Sequence, residues 1–531
     1  MVKNRSTLWV AALVVGWAFD ILYWNKPPGI SFLVHTVLLL GALAVVSWKE
    51  GVRPDPVSLV LVPLVLLFSA LGFLREEPFT RVLNHLLSLG FMGLLILSYL
   101  GGRWYSYTLS DYLVNGFQLF INTIGLPFKL LTTEKEESQI PEGEQPKASG
   151  WKRAAPYLRG ILIALPLIAI LASLLGEADP IFAKWIKDLI ELLRLEKLPE
   201  YILRLVLIAF WTFLAAGLLL YALTKSKEEK LVGEDKPWPP RFLGSTETTI
   251  IMGAINVLFF SFVTIQFKYF FGGEKNIALD GYTYSEYARK GFGELLAVAF
   301  FTLFILMVLS GITQRESRRS RITFSVLGGA MTLFIGVILV SSLQRLALYE
   351  SAYGFSRLRT YSHLCILWIG ALFLAILVLE IIQQHRYFTL ASLAAVAGFV
   401  LTMNAVNVDG LITRQNIQRL QENNAPLDTS YFNTLSNDAI PTLIDLADDS
   451  FISPQERKEI GAVLACRNKR LEEMDLKWQS FTLPTYQAKK SLAEYPELWE
   501  GVTFQEDQWG VLFIQVGTQK FYCSYYYGGW D

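Results

Sequence analysis

The sequence predicts an all-α polytopic membrane bundle of about 11 transmembrane helices with a small C-terminal α+β domain outside the membrane. Three observations lead there. About eleven apolar runs are each long enough to cross a hydrocarbon core of roughly 30 Å, which takes about 20 helical residues. Hydrophobic residues make up 53% of the 531 and charged residues 18%, and the mean hydropathy is +0.37, too apolar for a soluble enzyme of this length. Past residue 408 the apolar runs stop and periodicities of soluble type replace them.

The runs are 7–24, 29–48, 57–73, 82–100, 157–175, 202–223, 249–270, 292–312, 322–343, 363–382 and 387–406. Lys3 and Arg5 give the first run the look of a signal peptide. It ends, however, in Phe19-Asp20-Ile21-Leu22-Tyr23-Trp24 without a small-residue cleavage site, so it reads as a retained span. Segment 111–131 is apolar but broken by Asn115, Gln118, Asn122 and Pro127, which favours an interfacial helix over a span. If it crossed, every later loop would change sides. The following stretch, 132–153, has the Glu, Gln, Pro and Ser content of a disordered linker. It separates an N-terminal membrane region, 1–131, from a second one, 154–408. No internal repeat is visible across that divide, which weakens an inverted-repeat transporter reading.

Loop charges set the orientation. A cytoplasmic N-terminus puts Lys49, Arg53, Lys135, Lys147, Lys152, Arg153, Lys225, Lys227, Lys230, Lys236, Arg315, Arg318, Arg319, Arg321 and Arg386 on one side. An odd number of spans then sends the C-terminus out. Lys184, Lys187, Arg194, Lys197, Arg357 and Arg359 run against the rule; the first four sit on an amphipathic stretch, 181–195, suited to the outer interface.

The soluble domain, 409–531, begins with an amphipathic helix at 411–421. Apolar residues follow at helical spacing over 430–448, interrupted by Pro441. Ser453-Pro454 with Glu456 marks a capped helix start, and 511–516 with 520–526 around Gly517 reads as a hairpin. Cys466 and Cys523 share this domain. In an oxidising compartment they can form a disulfide, and two separately buried thiols are the other reading. Cys365, within a span, reads as a packing residue.

Net charge is zero, so nothing in the electrostatics points to nucleic acid as a partner. Asp20, His35, His85, Glu294, Arg345, Glu350, His363 and Asp409 fall near the outer edge, and Glu380 and His385 near the inner one. The histidines have no metal-ligand spacing, and no cofactor motif is present in the sequence. Acids and arginines gathered at one depth are cheapest when they share water and neutralise one another. Glu286, Arg289, Glu294, Arg345, Glu350 and Asp409 are therefore expected around a partly hydrated outer pocket or docking surface built by spans seven to eleven. Arginine forks there would favour an anionic lipid headgroup or envelope polymer.

Ala178-Asp179-Pro180-Ile181-Phe182, Tyr269-Phe270-Phe271-Gly272-Gly273, the stretch from Tyr284 to Phe292, the stretch from Arg345 to Arg359 and Asn407-Val408-Asp409 carry a resemblance. In these motifs, and over nearly its whole length, the chain resembles a bacterial family of polytopic inner-membrane proteins known as a domain of unknown function. The resemblance implies location and fold class, with no catalytic residues to carry over. Three functions stay open: a non-enzymatic protein binding an envelope ligand or membrane protein partner, a transporter or channel, and an enzyme acting on a lipid-linked substrate. The last would use His85, His363 or Glu286 as base but lacks a nucleophile motif.

Overall fold

The computed structural model describes residues 2–136, 171, 175, 179, 181, 182, 184, 185, 197–227, 231, 240–278, 292–423, 425–447, 451–499 and 501–523. Most of the run at 157–175, most of the linker, most of the 181–195 stretch and the loop carrying Glu286 and Arg289 lie outside the described residues.

Ten helices among the described residues are long and apolar enough to cross a membrane: Arg5–Tyr23, Ile30–Glu50, Pro56–Leu74, Pro78–Ser98, Leu198–Thr224, Ser245–Gln266, Gly293–Ile312, Arg318–Tyr353, Arg357–Ile381 and His385–Val406. The protein is a multi-pass membrane protein, an all-α bundle with a small three-stranded sheet near its C-terminus. Helix Leu109–Glu136 is continuous through Pro127 and is not one of the ten. Helix Arg318–Tyr353, with 36 residues, is about 54 Å long at 1.5 Å per residue and outruns a bilayer core.

Contacts sort the chain into two compact units, 1–24 with 41–52 and 119–224, and 25–40 with 53–118 and 225–531. In the first, helix Arg5–Tyr23 packs along helix Leu198–Thr224. Buried Asp20 takes the Arg204 fork at 2.9 and 2.5 Å, and Trp24 donates to Glu200 at 3.0 Å.

Polar contacts in the second unit gather at two ends. At one end Asp55 N–H donates to Tyr99 O (2.9 Å), Leu100 N–H to Ser226 Oγ (3.1 Å) and Arg386 Nε to Ser106 O (2.9 Å). Arg315 meets Glu380 at 2.8 Å there, and His385 Nδ1 lies 3.0 Å from the second Glu380 oxygen at ion-pair range, off the angle a hydrogen bond needs. At the other end Ile30 N–H, first in its helix, donates to Phe481 O (2.9 Å) and Arg75 donates to Asn404 O (2.8 Å). Helices that alternate direction place their connections this way.

The C-terminal segment shares one core with that second end. Met403 at the end of the last span is buried together with Ile412, Phe432, Ile440, Leu464, Leu492 and Phe521. Pro441 lies in the first turn of helix Ile440–Ala447 and does not break it, since a first-turn N–H has no intrahelical partner to lose. The predicted start at Ser453 carries a full capping box on Pro454–Glu473. The hairpin pairs Val516 with Gln519 across Gly517, whose φ is +60°, and a third strand, Phe504–Glu506, joins the other edge of Leu512–Val516. Cys466 and Cys523 form a disulfide with Cα atoms 4.5 Å apart.

Candidate functional site

Four stretches distant in sequence, 75–78, 357–361, 404–410 and 436–438, converge where the spans of the second unit meet the C-terminal core. Pro78 opens the helix Pro78–Ser98, and Glu77 before it is the N-cap. Its carboxylate accepts the N–H groups of Phe79 and Thr80 at 2.9 and 2.8 Å, so a negative charge sits at the positive end of the helix dipole. The same carboxylate accepts the Tyr361 hydroxyl and lies 4.0 Å from Arg357 Nε.

Arg357 is the first residue of helix Arg357–Ile381, an end at which the dipole disfavours a cation. An ion pair outweighs that. Its fork grips Asp409 through Nε at 2.8 Å and Nη2 at 2.7 Å, the two-pronged geometry that makes arginine–carboxylate pairs strong. Asp409 is fully buried and accepts the Ser436 N–H at 2.7 Å as well. The Arg357 backbone N–H, an orphan donor of the helix start, is taken by Tyr431 Oη at 2.9 Å. The turn before it has Gly354 at φ +80° and is clipped by Asn416, whose amide accepts from Phe355 N–H (2.8 Å) and donates to its carbonyl (3.0 Å).

Asp438 completes the cluster, accepting the Glu76 and Glu77 N–H groups at 2.7 and 3.2 Å, the Ser436 hydroxyl at 3.1 Å and Arg75 Nη1 at 3.4 Å. Burial pushes its carboxyl up to about 6. The Glu76 N–H and the Arg75 charge pull it down, and the charges of Asp409 and Glu76 push it further up. Glu76 in turn accepts hydroxyls from Thr482 and Thr485. Beneath, the buried amides of Asn84 and Asn404 exchange hydrogen bonds of 3.0 and 2.9 Å, joining two spans. Chemically the cluster is a clamp: its acids face two arginines, the backbone and hydroxyls. Among the described residues no group of three or more His, Cys, Asp or Glu is placed to hold a metal ion.

Of the residues expected from sequence, Asp409 stands in this cluster, held by Arg357. Glu350 lies 3.1 Å from His363 Nδ1, Arg345 donates to Gln266 at 3.1 Å, and Glu294 is exposed in the first turn of its helix. Glu286 and Arg289 lie outside the described residues. Arg75, Glu76, Glu77 and Asp438 were not anticipated. Their signal was Arg75-Glu76-Glu77-Pro78 wedged between two apolar runs: an acid directly before proline is a helix-start pattern.

A family model described as a domain of unknown function, DUF4153, matches residues 62–446. Neither the curated proteins nor the solved structures contain a match to the chain.

Proposed function

Since the chain belongs to the DUF4153 family, a family of unknown function, we propose that it is a non-enzymatic protein of a bacterial inner membrane whose C-terminal domain, seated on the spans, recognises an envelope ligand or protein partner. The observation that carries this reading is the Glu77–Arg357–Asp409 chain of contacts, which fixes a soluble-type domain to span ends and so suits it to present a surface at constant height. Pairing supports an anchoring role for the spans. Asp20 has Arg204 and Glu380 has Arg315, so these two carboxylates are neutralised at fixed sites, and Glu350 has the His363 ring at hydrogen-bond distance.

The regions in this proposal are a membrane part over 1–131, a linker over 132–153, a membrane part over 154–408 and an extracytoplasmic domain over 409–531. The outer polar face comprises Glu286, Arg289, Glu294, Arg345, Glu350 and Asp409. The Lys and Arg bias of the loops supports a cytoplasmic N-terminus. A transporter or channel is the second reading, favoured by the number of spans and by a polar group among them in which Gln266 accepts from both Ser341 and Arg345. The full chain in liposomes separates the two. Retention of envelope polymer or protein without solute flux supports recognition, and flux that depends on Gln266 replaces it with transport.

A further inference from the structure

We propose that the segment around Trp478, Phe481 and Tyr486 is a lipid-headgroup seat through which the C-terminal domain rests on the bilayer its own spans cross. Backbone contacts fix its depth. Phe481 O caps Ile30 N–H, the first donor of the span Ile30–Glu50, and Ser480 Oγ donates to Pro27 O at 2.9 Å. The Phe481 ring lies 6.4 Å from that of Phe73, which closes the span Pro56–Leu74, and Thr482 and Thr485 bond Glu76 just before the next span begins. Three span ends therefore hold this segment at the level where hydrocarbon gives way to headgroups.

At that level the segment turns aromatic side chains outward. Trp478 is 59% exposed, Tyr486 56% and Phe481 37%, with Phe481 and Tyr486 rings 6.1 Å apart. Three neighbouring aromatics left open to water would be a liability; at the headgroup layer amphipathic Trp and Tyr rings are at their most favourable depth. Lys477 precedes Trp478 and Lys489 follows Tyr486 by three residues on the same helix face, both exposed, at reach for lipid phosphates. The occupant is thus the phospholipid headgroup layer itself. Gly29 enforces the seating, since a Cβ there would meet Phe481 O at 2.5 Å and Ser480 C at 2.6 Å.

Trp509, 79% exposed on the turn between two strands, provides the aqueous reference. The full chain with Cys365→Ser, its disulfide kept, would carry a nitroxide at Trp478→Cys, Tyr486→Cys or Trp509→Cys in liposomes of mixed neutral and anionic phospholipid. Labels at 478 and 486 are expected to lose access to an aqueous nickel chelate and gain access to oxygen relative to the label at 509. Equal chelate access at all three positions overturns the proposal. The unmodified chain offers an independent readout with a lipid carrying a photoreactive diazirine near its headgroup. Adducts on the 477–489 peptide and none on the hairpin peptide support the seat; adducts on span-end peptides with none on 477–489 refute it.

Discussion

Arg357 is where the clamp concentrates its risk, because Asp409 and Glu77 are both buried and both lean on one guanidinium. Removing one partner of a buried pair strands the other charge, which costs about 3–5 kcal/mol. Arg357→Ala is therefore expected to lower the thermal midpoint of the detergent-solubilised protein sharply. Arg357→Lys should recover only part of it, since an ammonium cannot span both Asp409 oxygens. The double variant Arg357→Met with Asp409→Leu should melt above Arg357→Ala; equal melting of all three would remove the clamp from the account. Asp438 gives a pH signature of the same site. With its carboxyl raised from 3.8 to about 6 in the fold, the native state binds a proton that the unfolded chain has lost between those values. The contribution of that proton is full below about pH 4, falls as pH rises through about 6, and amounts to about 3 kcal/mol at most. Asp438→Asn should flatten the decline in stability between pH 4 and 6, and an unchanged slope would assign it to other groups.

At the scale of elements, what was legible in the sequence was what local chemistry encodes. The capping box at Ser453 involves residues three apart, and the Gly517 hairpin needs only a turn and two alternating strands, so both were readable. The strand Phe504–Glu506 was not, because all three of its residues are exposed and it shows no alternation. Pro441 misled because a proline within an apolar run reads the same whether it breaks a helix or begins one. The clamp was half legible: Asp409 stood out by depth, but its partner Arg357 was read as a breach of the charge rule, and only tertiary pairing explains a cation at a helix start. A paired glycine test checks the docking of elements. Gly29→Ala meets backbone at 2.5 and 2.6 Å and should cost about 1–3 kcal/mol, whereas Gly41→Ala, with nothing within 4 Å, should be neutral or gain up to about 1 kcal/mol. Equal melting of the two variants would mean that Phe481 does not sit against Gly29.

For the molecule as a whole, connections constrain the number of crossings. Leu100 and Ser226 are hydrogen-bonded at the same end of the second unit, so the chain between them crosses the membrane an even number of times. Leu198–Thr224 is one candidate crossing, and the sequence expects the second in the apolar run at 157–175; with it the total would be eleven and the two termini would lie on opposite sides. The loop charges choose which side is which. Reporter fusions at Glu144, Glu234 and Arg318 should be active only in the cytoplasm, and fusions at Glu191 and Asp531 only outside. The disulfide offers a second marker of the C-terminal side: Cys466 and Cys523 should resist alkylation in denatured, unreduced protein and label after reduction, as suits an oxidising compartment. Cytoplasmic activity at Glu191 with Glu234 also cytoplasmic would keep the count even but remove the crossing of Leu198–Thr224, which lies between them, and with it the total of eleven. Cytoplasmic activity at Asp531 with Arg318 also cytoplasmic would mean that one of Arg318–Tyr353, Arg357–Ile381 and His385–Val406 does not cross, and would reverse the side on which recognition by the C-terminal domain is proposed.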